Sequence, residues 1–352
     1  MNRLKDDLDH ILKHTRGMWD ELRGKRIFIT GGTGFFGCWL LESFAWANEK
    51  LDLRASALVL TRNVELLRKK APHLTENPAI SFHIGDVRSF DYPPGEFSHI
   101  IHAATAASAK LNDEDPLLML DTIVEGTRRV LNFAVQCGAK KLLLTSSGAI
   151  YGKQPTDMTH IPEDYMGGPD TMDPQSAYAE GKRVSELLCA IYSKKFGIEC
   201  KIARGFAFVG PYFPLDIHYA IGNFIRDALD GGPIVVKGDG TPFRSYLYAA
   251  DLAIWLWTIL FRGESCLPYN VGSPEDLSVS QLAKTIAEIS GKTVSVKVKV
   301  KPTRGQIPER YVPSVTGLLS FLGIDASFNL KEAITKTFLW HKHSTSSERK
   351  LS

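Results

Sequence analysis

A tyrosine and a lysine four residues apart, Tyr178-Ala-Glu-Gly-Lys182, stand downstream of a serine pair, Ser146-Ser147. That spacing puts a phenol and an ammonium on one face of a helix, where the cation favours the ionised phenol. A phenol so placed can move a proton to or from a carbonyl or alcohol. Upstream, Thr30-Gly31-Gly32-Thr33-Gly34-Phe35-Phe36-Gly37 follows the apolar run Ile27-Phe28-Ile29. Glycines there permit a tight strand-to-helix turn. The backbone N–H groups of Gly31, Thr33, Gly34, Phe35, Phe36 and Gly37 can then approach a pyrophosphate at the positive end of the helix. Proton transfer beside a dinucleotide is the chemistry of hydride exchange.

These groups need a frame that brings distant segments together. At 352 residues the chain exceeds the usual single core, which predicts a large domain with a smaller lobe. After a helix over 35–48, apolar runs at 57–60, 80–84, 99–102, 141–145 and 199–203 read as strands. Helices over 117–137 and from Tyr178 to Phe196 lie between the later ones. The alternation predicts an α/β fold, a doubly wound parallel (Rossmann) sheet, with a smaller C-terminal substrate-binding lobe. Residues 1–24 are expected to form an amphipathic helix, with Leu4, Leu8, Ile11, Leu12, Trp19 and Leu22 on its apolar stripe, docked on the body or on a partner subunit. The dinucleotide domain spans 25–204, with 247–262 crossing back to it. The lobe occupies mainly 205–340, where Gly, Pro and aromatic residues bunch. The polar tail after His341 is expected to fray.

Composition excludes several classes. Hydrophobic content of 44% and charged content of 23% are those of an ordered globular protein, and a net charge of +3 builds no nucleic-acid surface. The most apolar late run, Leu252 to Phe261, is too short to span a bilayer and reads as a buried helix. Five scattered cysteines without a C-x-x-C pair point to no metal site and to a reducing cytoplasm.

Around the turn, Asp86, followed by Val87, is placed to accept from the adenine amino group, with helix capping as the bland alternative. The small residues Ala103, Ala104 and Thr105 let a dinucleotide lie against the backbone. The second strand ends in Thr61-Arg62-Asn63, without the carboxylate that would bind a ribose diol and repel a further phosphate. Arg62 can hold that phosphate, so NADP(H) is favoured over NAD(H). The alternative is that Arg62 stacks on adenine or faces water.

With Gly148-Ala149-Ile150-Tyr151-Gly152 after the serines, the segment Arg204 to Pro211, Gly238-Asp239-Gly240-Thr241-Pro242-Phe243-Arg244 and Tyr248-Ala249-Ala250-Asp251-Leu252-Ala253, the chain resembles the extended short-chain dehydrogenase/reductase family. It is similar to the nucleotide-sugar branch of 4-epimerases, 4,6-dehydratases, decarboxylases and 4-keto reductases, over about residues 25 to 340. The resemblance implies that Ser147 and Tyr178 bind the oxygen at the reacting sugar carbon and that Lys182 binds the nicotinamide ribose. It also implies that Lys182 and the oxidised ring lower the phenol's pKa. Dehydratases of this branch place an Asp-Glu pair where this chain has Gly148 and Ala149, and decarboxylases place a Glu at the position of Ala149. Redox at one carbon remains.

Arg244 and Arg310 are the candidates for a substrate diphosphate, because a planar guanidinium meets phosphate at two points. A surface salt bridge is the alternative for Arg310. Asn223 is a candidate nucleotide contact, and Arg204 is expected to support the fold. Related enzymes carry Asn where this chain has Ala207. The leading expectation is an NADPH-dependent reduction of a nucleotide-linked 4-keto-6-deoxy sugar in polysaccharide biosynthesis. The resemblance implies a homodimer, with the 117–137 and Tyr178 helices as candidates for the contact and packing of their apolar residues within one subunit as the alternative. A 4-epimerase with bound NAD, and a non-catalytic dinucleotide sensor, are the alternatives.

Overall fold

The structure, a computed structural model, describes residues 2–105, 109–217, 219–291 and 294–348, with side chains to 343. Seven strands form one parallel sheet: β1 (Arg26–Thr30), β2 (Ser56–Thr61), β3 (Ile80–Ile84), β4 (His99–His102), β5 (Lys141–Ser147), β6 (Glu199–Gly205) and β7 (Pro268–Val271). Their order is β7-β6-β5-β4-β1-β2-β3. The chain winds outward from β1 in one direction and from β4 in the other. In such sheets ligands bind outside the carboxyl ends of the strands at this reversal. Gly31 to Gly37 follow β1, Ala103 to Thr105 follow β4 and Ser147 closes β5, so the topology gathers three predicted site segments at that crevice. The edge strand β7 is absent from the sequence reading: it is short and starts on a proline, which only an edge or a strand's first residue tolerates.

Buried side chains cover both faces. On one, α2 (Phe35–Lys50) and α6 (Ala249–Arg262) pack together, and α6 is buried at every residue from Ala249 to Phe261. An all-round apolar helix must be internal. On the other face α4 (Pro116–Gln136) and α5 (Ala177–Phe196) lie side by side over β4, β5 and β6. Between these segments α3 (Glu65–Lys70) follows β2.

The N-terminal stretch is two elements rather than one helix. α1 (Lys5–His14) stops before Gly17, whose φ of 83° lies in the left-handed region, and a single 3-10 turn, Trp19–Leu22, follows. α1 docks on the body, against α2 and α6. Its buried Asp7 accepts from the Tyr248 hydroxyl at 2.7 Å and from Lys336 Nζ at 2.8 Å. Lys336 belongs to α7 (Leu330–Glu348), which corrects the expected fraying after His341; residues 349–352 lie outside the described chain.

The lobe combines short elements. The strand Phe243–Ser245 sits between Asp276–Ser278 and Arg310–Tyr311. A second pair joins Ile234–Val236 to Val296–Val298, and helices Ala220–Leu229 and Val279–Ile289 pack beside them.

Candidate active site

The glycine turn is built for close approach. A Cβ on Gly31, at φ 73°, would lie 2.5 Å from the Ala103 carbonyl, and one on Gly37 would lie 2.3 Å from Gly32. The first glycine lets the turn lie against the end of β4, and the last seats α2 on the turn. Thr30 Oγ1 pairs with His102 Nδ1 at 2.8 Å and accepts from Ala104 N at 3.1 Å, tying the β1 and β4 ends. Burial pushes His102 down to about 3, so it stays neutral. This cradle fits the dinucleotide inferred from the glycines.

Arg62 is exposed at the end of β2. Asp86 accepts from the Arg88 backbone N at 2.9 Å and from its Nε and Nη2 at 2.9 and 3.2 Å. Arg88, with Arg62 adding, holds that carboxyl below its ordinary range. Asp86 is therefore an anchored carboxylate rather than a free one. Val87 is core: its side chain fills the space above Gly126 of α4, which leaves its backbone as the part able to face a cofactor. A cation unnoticed in the sequence, Lys70 at the end of α3, donates to the Thr33 carbonyl at 3.3 Å. It borders a cavity of about 1030 Å³ that also touches Gly34, Phe35 and Lys69.

Ser147, the last residue of β5, accepts from Ala149 N at 3.1 Å and caps the single 3-10 turn Gly148–Tyr151. Tyr178 sits in the first turn of α5, with its backbone N bonded to Asn112 Oδ1 at 3.0 Å. Burial pushes the phenol up to about 12, against the downward pull of the Ser147 hydroxyl. Lys182 stands one turn further along α5. It donates to Thr105 Oγ1 and to the Thr145 carbonyl, both at 2.7 Å, and lies 6.0 Å from the Tyr178 ring centroid. A carbonyl and a hydroxyl hold the charge, and burial brings Lys182 itself down to about 8. Serine, tyrosine and lysine thus meet as predicted, with the lysine anchored on β5 and on the segment after β4.

Phe206 walls the space beside Ser147. A Cβ on Gly148 would lie 2.6 Å from its ring, so aromatic carbon fills the room beside Gly148. Phe206 packs on Tyr311 with centroids 4.7 Å apart. Tyr311 is the residue that sequence reasoning missed. Burial raises its phenol, Tyr178 raises it further, and the Ser147 hydroxyl lowers it, so two phenols share one serine. Strand pairing sets Tyr311 opposite Arg244, and both line a cavity of about 500 Å³ with Gln154 and Arg310. No local pattern marked Tyr311, because only pairing of segments more than sixty residues apart brings it to Ser147.

The two candidate diphosphate arginines differ. Arg244 donates from Nη1 to its neighbour's carbonyl at 2.8 Å, its Nη2 lies 3.9 Å from Glu309, and the residue lines the cavity. Arg310 is ion-paired with Asp276 and stacked 4.2 Å from the Phe243 centroid, which is the salt-bridge alternative. Asn223 is half-buried, one turn beyond Tyr219, a residue close enough to bear on the Tyr178 phenol. Ala207 contributes its carbonyl to Leu247 N at 3.0 Å and no polar side chain. Arg204 supports the fold as expected, with Glu186 at 3.0 and 2.7 Å, the Tyr151 hydroxyl at 2.8 Å and the Glu163 carbonyl at 2.9 Å. Among the described residues no cluster of three or more His, Cys, Asp or Glu could hold a metal ion, and no helix is long and apolar enough to cross a membrane.

Comparison with known proteins places this geometry in company. The model of the NAD dependent epimerase/dehydratase family matches residues 27–272. UDP-glucuronic acid decarboxylase 5 of Arabidopsis thaliana is 31% identical over 310 residues, 88% of this chain and 87% of the relative. Among solved structures, Thermus thermophilus UDP-glucose 4-epimerase in complex with NAD superposes at TM-score 0.73 with 26% identity, covering 90% of this chain and 98% of that one. DesIV, a dTDP-glucose 4,6-dehydratase from Streptomyces venezuelae with NAD bound, superposes at 0.77 with 23% identity over 92% of this chain and 98% of its own, a likeness of fold.

Proposed function

Because the chain belongs to the NAD dependent epimerase/dehydratase family, we propose that it is an oxidoreductase confined to one sugar carbon, reducing a nucleotide-linked 4-keto-6-deoxy sugar with NADPH. The observation that carries this is the surroundings of Ser147: Gly148 and Ala149 offer no acid, and Phe206 covers Gly148. Elimination or decarboxylation needs a proton-carrying group at the neighbouring carbons. The decarboxylase relative is therefore a guide to binding rather than to outcome.

The nicotinamide, when bound, supplies the hydride. Ser147 donates to the sugar carbonyl oxygen and holds it as negative charge grows. Tyr178, a phenol kept protonated by burial, gives its proton to that oxygen and completes the alcohol. Lys182 fixes the floor of the site through Thr105 and Thr145 and presents its charge to the ribose hydroxyls. Arg244 takes the substrate diphosphate, with Arg310 and Asn223 at the edge. Arg62, with Lys70 beside the glycine turn, favours the additional phosphate of NADP(H), and Asp86 faces the adenine. A reducing cytoplasm suits five unbridged thiols. We place the product in cell-surface polysaccharide synthesis.

Incubation with NADPH and dTDP- or UDP-linked 4-keto-6-deoxyglucose should consume about one cofactor per sugar, read at 340 nm; no turnover across nucleotide bases would overturn the reading. A 4-epimerase using bound NAD is the second reading, favoured by the T. thermophilus likeness at 26% identity. It would interconvert two sugars with no net loss of cofactor. A sensor role would survive Tyr178→Phe unchanged.

A further inference from the structure

Three of the five cysteines gather at one place away from the crevice. Cys189 lies on α5, seven residues past Lys182, and Cys200 is the second residue of β6. Cys200, and more weakly Cys266, lie close enough to Cys189 to raise its thiol. Cys266 precedes β7, and its backbone N donates to the Cys200 carbonyl at 2.7 Å. Cys266 sits in the turn that leads into β7, whose pairing with β6 begins at Pro268 and Ile202, and that backbone bond sets it beside Cys200. A backbone N–H···O=C bond this short keeps the Cα atoms of its two residues within the roughly 4.4–6.8 Å that a disulfide spans.

The local surroundings favour reaction at one sulfur. Cys189 and Cys200 are buried, while Cys266 is exposed. Cys266 also holds a φ of 60°, rare for a residue with a side chain. The Ser265 hydroxyl beside it donates to Cys266 Sγ at 3.8 Å, accepts from Cys200 N at 3.2 Å and meets Ser193 of α5 at 3.2 Å. An exposed thiol next to a buried one is the arrangement in which oxidation is captured rather than run to completion.

We propose that Cys266 and Cys200 form an oxidation site for hydroperoxides, with Cys266 the thiol attacked by oxidant and Cys200 the thiol that resolves it. The Cys266 thiolate attacks one peroxide oxygen, the O–O bond breaks, and the released hydroxide takes a proton to leave as water. Cys266 is then a sulfenic acid. The Cys200 thiolate attacks that sulfur, an S–S bond forms, and hydroxide departs and is protonated to a second water. Two thiols lose two electrons, and one hydrogen peroxide gains them. The bridge would join β6 to β7 and remove the Cys200 thiol from Cys189, on the helix that carries Tyr178 and Lys182.

The test treats the full-length protein with hydrogen peroxide, alkylates remaining thiols under denaturing conditions and maps peptides without reduction. The expected result is a Cys200–Cys266 linked peptide, with Cys38 and Cys137 still alkylated. Cys266→Ser should abolish the link. Cys200→Ala should leave Cys266 as a sulfenic acid that dimedone traps, a readout that holds whatever the substrate proves to be. Cys200 fully alkylated after treatment of the wild type, or Cys266 joined to a second molecule or driven to sulfinic acid, would overturn the proposal.

Discussion

Lys182 is the residue on which the site's pH behaviour turns. Its ammonium is buried between Thr105 and Thr145, and burial brings it down to about 8, while Tyr178 stays protonated up to about 12. The proposed reduction needs both the charged lysine and the protonated phenol. The catalytic efficiency kcat/KM should therefore fall as pH rises through about 8, along a single-proton limb that belongs to the lysine. A profile flat to pH 10 would contradict this assignment. Tyr178→Phe should lower the rate by roughly 10²–10⁴-fold, with the fold intact by circular dichroism. Tyr311→Phe keeps the ring on Phe206 and deletes only the hydroxyl beside Ser147. It should lower kcat about tenfold, the worth of one hydrogen bond, with NADPH affinity unchanged by fluorescence titration.

At the scale of elements, α2 and the glycine turn behave as one piece. Gly37→Ala would put a methyl carbon where 2.3 Å separates it from Gly32, and both are backbone, so neither can rotate away. A loss of roughly 1–3 kcal/mol in urea unfolding, together with lost dinucleotide binding, is expected. α6 carries a second dependence. Asp251 is fully buried and accepts from Ser327 N at 3.0 Å and Phe328 N at 3.1 Å, with its carboxyl pushed up by burial to about 6. Between the ordinary carboxylate range and pH 6 the folded protein holds a proton that the unfolded chain has released. This group's share of stability therefore rises as pH falls from 7 to 5. Asp251→Asn keeps both accepted bonds and removes the titration. The change in melting temperature from pH 7 to pH 5 should be less favourable in the variant than in the wild type.

The whole molecule leaves an apolar stripe uncovered. On α5, Val184, Leu187 and Ile191 are exposed, and Leu117 and Val135 are exposed on the neighbouring α4. Their spacing puts the α5 residues on one helix face, an apolar face that a second copy of the chain could cover in an isologous contact. For the homodimer we propose through this stripe, the wild type should scatter light as a dimer and Leu187→Arg as a monomer, without changing the melting of the isolated subunit by more than a small surface effect; a monomeric wild type would contradict the homodimer, and a variant that stays dimeric would place the contact elsewhere.

The sequence alone determined what depends on near neighbours. Gly31 to Gly37 after an apolar run, the Tyr178–Lys182 spacing and the alternation of strands with helices are local patterns, since helix and strand periods act over a few residues. From them came the Rossmann sheet, the turn and the shared helix face of Tyr178 and Lys182, while the pairing of Ser147 with Tyr178 was implied by the family resemblance. The tertiary structure decided the rest: that Lys182 rests on Thr105 and Thr145, that Arg310 is taken by Asp276, that Phe206 and Tyr311 wall the serine, and that Asp7 anchors α1 to Tyr248 and Lys336. Most of these partners lie tens to hundreds of residues apart in the chain. Which of them meet depends on how the lobe strands and helices close over the sheet, and no short-range pattern encodes that closure.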